Sequence, residues 1–176
     1  MGKRSTKKNK NVFFQAREDL GLSRSEAADL MPGFSESQIE KIENERTISI
    51  DPDMVLAMAK AYKKPELCNQ YCSKYCSIGK DVKPEIQVSN LSQIVLGRLS
   101  TMNSFENKKN KLIDISVDGE ITENELYDYV TIQYELDHMS TSIEALRLWI
   151  AQKIEAGNID SSKIEQIRKE IKTSAL

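Results

Sequence analysis

The sequence is poor in residues that interrupt helices. Its 176 residues include seven Gly and four Pro, and Trp and His occur once each. Charged residues make up 30% of the chain and hydrophobic residues 39%. This balance is typical of a helical globular protein and argues against a disordered or β-rich one. We therefore expect an all-α fold.

Long apolar runs are also missing. No stretch approaches the roughly 20 apolar residues that cross a bilayer. No apolar segment follows the charged N-terminus, as it would in a secretory signal. The three cysteines are an odd number, which argues against a secreted disulfide framework. We expect a cytoplasmic protein with no membrane contact.

Motifs for catalysis are absent as well. The sequence has no P-loop, no G-x-G-x-x-G, no H-E-x-x-H and no serine-nucleophile motif. With His138 as the single histidine, most acid–base and metal chemistries lack a component. We expect a protein that is not an enzyme and that uses no cofactor.

What the chain does have is a basic N-terminal segment followed by closely spaced helical patterns. Residues 1–10 contain no acid and five cations, Lys3, Arg4, Lys7, Lys8 and Lys10. A flexible basic arm of this kind attracts nucleic acid, although a solubilising tail has the same composition.

Helix signals then recur at short intervals. The stretch "NVFFQAREDLG" predicts a first helix that ends at Gly21. Capping boxes at Ser23 and Ser35 begin the second and third helices. Asp51, followed by proline, begins a fourth. A tight Pro-Gly turn between the second and third helices predicts a helix-turn-helix arrangement.

The stretch "LSRSEAADLMPGFSESQIEKIENER" resembles the core motif of the phage-repressor-like (Cro/repressor or xenobiotic response element) helix-turn-helix regulators. The matching positions are Leu22, Ser23, Ala28, Gly33, Phe34, Ser35, Ile39, Ile42, Glu43 and Asn44. The resemblance covers residues 11–66. It implies a repressor-like four-helix domain in a sequence-specific transcriptional regulator, with a mobile element as a fitting source. It also implies that Glu43 pairs with Arg17 of the first helix.

The sequence departs from the family pattern in two places. The turn "LMPG" is one residue longer than usual, and Glu45 stands where the family has a small residue or Gly. The third helix also carries four glutamates against two cations, Lys41 and Arg46. We therefore expect weak DNA binding that depends strongly on salt.

The candidate DNA contacts lie on the arm and around the third helix. Gln38 is the natural reader of adenine, and Glu36 either accepts from cytosine or complements the helix dipole. The full set is Lys3, Arg4, Lys7, Lys8, Arg24, Ser35, Glu36, Ser37, Gln38, Lys41 and Arg46. The alternative is a protein-binding module that keeps the fold, with the acidic third helix facing a basic partner.

Three cysteines, Cys68, Cys72 and Cys76, follow at intervals of four and would share one face of a continuous helix. Three thiols with a fourth ligand could bind Zn²⁺. The spacing is unlike that of the usual zinc pairs, and His138 is far along the chain. We expect structural cysteines instead.

The C-terminal half predicts a long antiparallel, coiled-coil-like helical hairpin. The two apolar stripes are Leu91, Ile94, Val95, Leu99, Met102, Leu112 and Ile113, and Leu126, Val130, Leu136, Met139, Ile143, Leu146, Ile150 and Ile154. Further apolar side chains, such as Tyr127 and Trp149, need another partner. We expect a homodimer, or a protein partner bound through these helices. The expected divisions are an arm at 1–10, a helix-turn-helix domain at 11–80 and the hairpin at 85–176.

The turn between the long helices also fits an EF-hand loop. Its candidate ligands are Asp114, Ser116, Asp118, Glu120 and Glu125. Against this, Asp-Gly is an ordinary helix stop and "TENE" an ordinary capping box, and the sequence has no second loop. We expect a plain hairpin, with a calcium- or metal-responsive regulator as the alternative.

Overall fold

The computed structural model describes residues 8–47, 49–87, 91–117 and 119–174. Within these ranges the chain is all-helical and has no strands, which confirms the predicted fold class. No helix in this part of the chain has the length and apolar character needed to cross a membrane. The helices are α1 (Val12–Asp19), α2 (Arg24–Asp29), α3 (Glu36–Glu43), α4 (Pro52–Ala61), α5 (Glu66–Lys74), α6 (Ser77–Val82), α7 (Leu91–Ser116), α8 (Leu126–Glu155) and α9 (Ser161–Ser174).

The chain divides into two compact units. The first, here called the N-terminal unit, runs to Glu85 and also includes the chain from Ile150 onward, with α9. The second, the hairpin unit, is Ile86–Trp149. The sequence pattern grouped α9 with the hairpin, whereas here it belongs to the same unit as the helix-turn-helix. The boundaries 1–10, 11–80 and 85–176 stay a prediction.

One hydrophobic core holds α1 to α5 together. Apolar residues at helical spacing turn inward from α1 to α5. The buried members are Phe13, Ala16, Ala27, Met31, Ile39, Ile42, Ile50, Met54, Val55, Met58, Ala59, Tyr62 and Leu67. Because Ile39 and Ile42 fix one side of α3 in this core, its other side faces solvent.

The helix starts are those that the sequence predicted. Ser23 and Glu26 form a reciprocal capping box at α2. Asp51 accepts a hydrogen bond from the Asp53 amide at 2.9 Å, with proline at the first helical position of α4. The Glu26 carboxylate accepts from the Ser23 amide at 2.6 Å, and this bond lowers the pKa of Glu26. Each cap satisfies amides that the helix itself leaves unpaired.

The ends of α1 and α3 share one backbone arrangement. After α1, Gly21 adopts a positive φ of 68°. After α3, the Glu45 amide donates to the Ile42 carbonyl at 3.1 Å and the Arg46 amide to the Lys41 carbonyl at 2.8 Å. This is a Schellman motif, whose left-handed residue is usually glycine. Here that residue is Glu45, with a φ of 55°.

The helix after Pro65 does not continue as far as the third cysteine. α5 ends at Lys74, and Cys76 caps the short α6, its Sγ accepting from the Gly79 amide at 3.4 Å. The two helices pack closely, because a Cβ added at Gly79 would lie 2.2 Å from the carbonyl oxygen of Cys72. Only glycine fits at this crossing.

In the hairpin unit, α7 and α8 run antiparallel, as predicted. Lys108 pairs with Glu135 at 3.0 Å and Lys111 with Asp128 at 2.6 Å, so residues later in α7 meet residues earlier in α8. Glu125 accepts hydrogen bonds from the Thr122 amide and hydroxyl, which confirms the predicted capping box ahead of α8. α8 has 30 residues.

The predicted apolar stripe of α8 is wrong in its first three turns. Leu126 and Val130 are exposed, whereas Ile132, outside the predicted stripe, is 1% exposed. The ion pairs of Asp128 and Glu135 turn the side that contains Ile132 toward α7. In α7, Ile94 is buried while Leu91, Val95 and Ile113 are exposed. The side chains of Leu99 and Met102 lie outside those that the structure describes.

Candidate nucleic-acid interface

A buried ion pair sets the position of α3 against α1. Arg17 Nε lies 2.5 Å from Glu43 Oε1, and Arg17 Nη2 lies 2.9 Å from Glu43 Oε2. The Glu43 side chain is 0% exposed. Arg17 also donates from Nη1 to the Leu22 carbonyl, which ties in the loop before α2. The pairing implied by the family resemblance is confirmed.

The electrostatics of this pair keep it charged. Burial alone would lower the pKa of the Arg17 guanidinium, but the hydrogen bond and negative charge of Glu43 outweigh it and raise that pKa. Charges buried in this way are tolerated because both ends are paired and hydrogen-bonded. The pair is therefore part of the framework and does not contribute to the exposed charge of α3.

Asn11 provides a second connection between α1 and α3. Its Oδ1 accepts from the Phe14 amide at 3.0 Å and so caps α1. Its Nδ2 donates to the Ile42 carbonyl at 2.7 Å, near the C-terminus of α3. This residue was not predicted from the sequence, although Asn immediately before an apolar helical run is a favoured N-cap. No sequence pattern indicates the long-range bond to Ile42.

The exposed side of α3 carries the predicted reading residues. Ser35, Glu36, Ser37, Gln38 and Lys41 are all exposed. Gln38 has a further role, because its Oε1 accepts from the Ser35 amide at 2.8 Å and from the Ser35 hydroxyl at 2.9 Å. Bidentate reading of adenine uses both the oxygen and the nitrogen of the amide. Gln38 must therefore leave its capping box to read adenine in that way.

Acidic side chains reduce the positive charge beside this surface. Arg46 Nη1 lies 3.6 Å from Glu40 Oε1, while the Arg46 side chain remains 70% exposed. Asn44 Nδ2 also donates to Glu40, at 3.4 Å. An exposed ion pair of this length is weak and salt-screened, so Arg46 can turn toward a phosphate at little cost.

Arg24 lies in the framework around Glu43 rather than on the open side of α3. Its Nε donates to Glu43 Oε2 at 2.8 Å, and its side chain is 27% exposed. The Arg24 guanidinium also lies 5.7 Å from the ring centre of Phe14. The predicted contact of Arg24 with DNA stays a prediction, and it would have to be made by the exposed part of the guanidinium.

The described part of the basic arm begins just before α1. Lys8 is exposed, and Lys10 pairs with Glu18 at 2.6 Å. Lys3, Arg4 and Lys7 lie outside the described residues.

The cysteines are half-buried and unbonded to one another. Burial raises the pKa of the Cys68 thiol, and the neighbouring Cys72 adds to the effect. Among the described side chains, no three His, Cys, Asp or Glu come together in a way that could hold a metal ion. Cys68 and Cys72 lie on α5, and Cys76 lies at the start of α6.

The proposed calcium ligands are divided between a helix and a cap. Asp114 and Ser116 lie in the last turn of α7, whereas Glu125 is bonded to Thr122. Glu120 is exposed in the connection, and Asp118 lies outside the described residues. An EF-hand needs its first, third and twelfth residues to converge on one ion.

Residues 14–67 match the model of a helix-turn-helix family. The matched segment covers about a third of the chain and contains α3 and both ends of the Arg17–Glu43 pair. The match supports a phage-repressor-like helix-turn-helix in this segment, as the resemblance implied. Neither the curated proteins nor the solved structures contain a match to the chain.

Proposed function

We propose that the chain is a sequence-specific transcriptional regulator that binds double-stranded DNA through α3. The observation that carries the proposal is the two-sided character of this helix. Ile39, Ile42 and Glu43 fix one side in the core, and polar side chains occupy the other. A helix held in this way can enter the major groove without rearrangement of the domain. A role on a mobile element is a finer expectation that rests on the resemblance alone.

The division of work between α3 and the basic residues follows from their charges. Glu36 of α3 and Glu45 after its end are exposed, and the Glu40 side chain is 43% exposed. The helix itself therefore attracts phosphates poorly. The arm, with Arg46, supplies the attraction, whereas Gln38 with Lys41 supplies base contacts. Phosphate contacts fix the position of a protein on DNA, and base contacts determine the sequence.

We further propose that the protein acts as a homodimer and that α9 supplies the contact. Ile164, Ile167 and Ile171 follow each other at helical spacing, and the last two are exposed. The remaining side chains of α9 have mixed charge, with ion pairs such as Arg168–Glu165 at 2.6 Å. Two copies of α9 can therefore pack together without bringing a large excess of like charge into contact. Two paired helix-turn-helix segments would bind two half-sites.

The test is a salt titration of binding to duplex DNA by fluorescence anisotropy. The full chain is compared with a variant that lacks residues 1–10, on random and on selected duplexes. Deleting the arm should weaken binding to both and flatten the salt dependence, by about 0.9 in logarithmic slope for each phosphate that the arm neutralises. If the full chain binds no duplex at about 50 mM salt, where electrostatic binding is strong, the proposal fails.

A second candidate is a protein-binding module that retains the fold without reading DNA. The observation that favours it is the acidic exposed side of α3. This candidate predicts no duplex binding at low salt by the full chain, and none for Glu40→Gln, in which the repulsion is reduced.

A further inference from the structure

The first turns of α8 have two apolar sides, and the hairpin uses only one of them. The side with Ile132 faces α7, because Asp128 and Glu135 next to it form the ion pairs to Lys111 and Lys108. Across the helix lies a second group of apolar residues at helical spacing, here called the tyrosine face. Its members are Leu126, Tyr127, Val130 and Tyr134, all exposed, with Tyr127 79% exposed and Tyr134 62%.

Exposed tyrosines grouped in this way are typical of binding surfaces. Single exposed apolar residues are normal, but a contiguous group marks a contact site. Tyrosine buries a large area at a small cost in side-chain entropy and is enriched where binding energy is concentrated. Tyr134 is already positioned, because its ring meets the ring of His138 edge-on with 4.4 Å between the ring centres. A partner therefore meets a partly organised surface.

The charge around the tyrosine face is mainly negative. Residues 112–134 contain six acids, Asp114, Asp118, Glu120, Glu123, Glu125 and Asp128, and no Lys or Arg. Asp128 is already paired with Lys111 of α7. Asp137, three residues beyond Tyr134, extends the acidic border along α8. A negative border selects a positive partner by steering it and by opposing anionic surfaces.

We propose that the tyrosine face binds a cationic amphipathic helix of a partner protein. The apolar side of that helix covers Leu126, Tyr127, Val130 and Tyr134, and its Lys or Arg side chains meet the acidic border. This is the groove-and-helix mode of peptide recognition, in which residues one turn apart on the ligand provide the main contacts. The contact gives the regulator a protein partner on a surface that α3 does not use.

Charge distinguishes this partner from the other occupants of such a face. Two copies of the tyrosine face would bring two acidic borders together, which is unfavourable. DNA is excluded by the same sign of charge. By contrast, α9 has mixed charge and suits a second copy, so α9 and the tyrosine face have different partners.

The test measures binding of three labelled synthetic peptides to the full-length protein by fluorescence anisotropy. Each peptide has about 18 residues, a length that forms several helical turns. The first peptide has Leu at helical spacing with Lys elsewhere, the second replaces Lys by Glu, and the third has the first composition in scrambled order. The first peptide should bind in the micromolar range, and the other two should bind at least about tenfold more weakly. Equal binding of the scrambled peptide would overturn the proposal, because it would show attraction by charge alone.

Variants then locate the contact. Tyr127→Ser with Tyr134→Ser should weaken binding of the first peptide at least about tenfold, since both side chains are exposed and central to the face. Glu123→Gln with Asp137→Asn should weaken it less and should reduce its salt dependence. Circular dichroism checks that each variant melts as the wild type does. If the tyrosine variant binds the peptide unchanged, the proposal is wrong.

A matched control lies on α9. Ile167→Ser with Ile171→Ser should leave peptide binding unchanged and should lower the mass seen by sedimentation from that of a dimer to that of a monomer. If the tyrosine variant becomes monomeric instead, the tyrosine face is the contact between two copies and the proposal is overturned. Binding of duplex DNA by the tyrosine variant is measured separately. The proposal of a peptide partner and the proposal of DNA binding can therefore fail independently.

Discussion

Arg17 and Glu43 form a two-point ion pair that joins α1 to the end of α3 across 26 residues of sequence. Arg24 adds a third hydrogen bond to the same carboxylate, at 2.8 Å. The exposed side of α3 is thereby oriented by contacts that meet at a fully buried carboxylate. The orientation of α3, which we propose to read DNA, depends on this buried site.

Removing the carboxylate should therefore destabilise the N-terminal unit. Glu43→Ala leaves Arg17 buried without its partner, and breaking a buried pair in this way costs about 3–5 kcal/mol. Urea unfolding followed by circular dichroism measures the change. The control is Glu40→Gln, whose exposed pair with Arg46 should be worth less than about 1 kcal/mol. A loss below about 1 kcal/mol for Glu43→Ala would show that the pair is not structurally important.

Glycine at position 45 should stabilise the protein. Glu45 occupies the left-handed position of a Schellman motif, where a side chain is strained and glycine is not. The gain is reduced by the greater freedom of glycine in the unfolded chain, so we expect about 0.5–1 kcal/mol for Glu45→Gly. Glu45→Gln removes the charge but keeps the strain, and it should change stability much less. Equal stabilisation by both substitutions, measured by urea unfolding, would assign the effect to charge.

Two tyrosines of the N-terminal unit should respond in opposite ways to loss of their hydroxyl groups. The Tyr62 hydroxyl is buried without a hydrogen-bond partner in the described structure, whereas the Tyr71 hydroxyl donates to the Ile50 carbonyl at 3.1 Å. Tyr62→Phe should be neutral or stabilising by up to about 1 kcal/mol, and Tyr71→Phe should cost about 1 kcal/mol. Thermal melts of the two variants provide the comparison. A larger loss for Tyr62→Phe than for Tyr71→Phe would contradict this arrangement.

Burial of Tyr62 also gives a dependence on alkaline pH. Removal from water raises the pKa of its hydroxyl, with the charge of Glu43 adding to the effect. Because the folded-state pKa is above the unfolded value of about 10, the hydroxyl ionises first in the unfolded chain, and the stability present below that pH is lost as pH rises above it. The difference in unfolding free energy between the wild type and Tyr62→Phe, measured from about pH 8 to 11, should fall as the pH rises. A flat difference would show that Tyr62 ionises as easily when folded.

Removing one acid from α3 should strengthen binding to DNA of any sequence. Glu40→Gln removes repulsion from phosphates and also releases Arg46, which lies 3.6 Å away. Affinity for random duplex should rise at low salt, and the gain should shrink as salt is added. Glu123→Gln, in the hairpin unit, is the matched control and should leave duplex binding unchanged. Equal gains in the two variants would indicate an effect of net charge alone.

Much of the fold could be predicted from local signals. The capping boxes at Ser23 and Ser35 and the glycine stop at Gly21 are local, and the sequence shows them directly. The left-handed conformation of Lys63, with a φ of 53°, was not predicted. A non-glycine residue in this conformation carries no sequence signal. The exposed stripe of α8 was misassigned because Leu126 and Val130 are as apolar as the residues that pack on α7. The ion pairs of Lys108 and Lys111 show which of the two apolar sides of α8 faces α7.

Some contacts within the candidate site were expected from the sequence, such as the Arg17–Glu43 pair, but others were not. Gln38 was predicted as a base reader, and only the geometry shows that its amide oxygen accepts both hydrogen bonds from Ser35. Arg24 was predicted as a DNA contact because it is a cation near α3, and its bond to buried Glu43 depends on the packing of α2. Asn11 joins elements that are 31 residues apart. Such contacts are not encoded in local spacing.

The most direct test of groove reading by α3 is the base discrimination of wild type and Gln38→Ala on duplexes that differ by one base pair. The selected duplex is varied at each position in turn, and affinities are measured at about 50 mM salt. Gln38→Ala should lose roughly 1–3 kcal/mol of discrimination at one position that prefers adenine. Its affinity for random duplex should change little, because Gln38 carries no charge. The same discrimination in both proteins at every position would contradict the placement of α3 in the major groove.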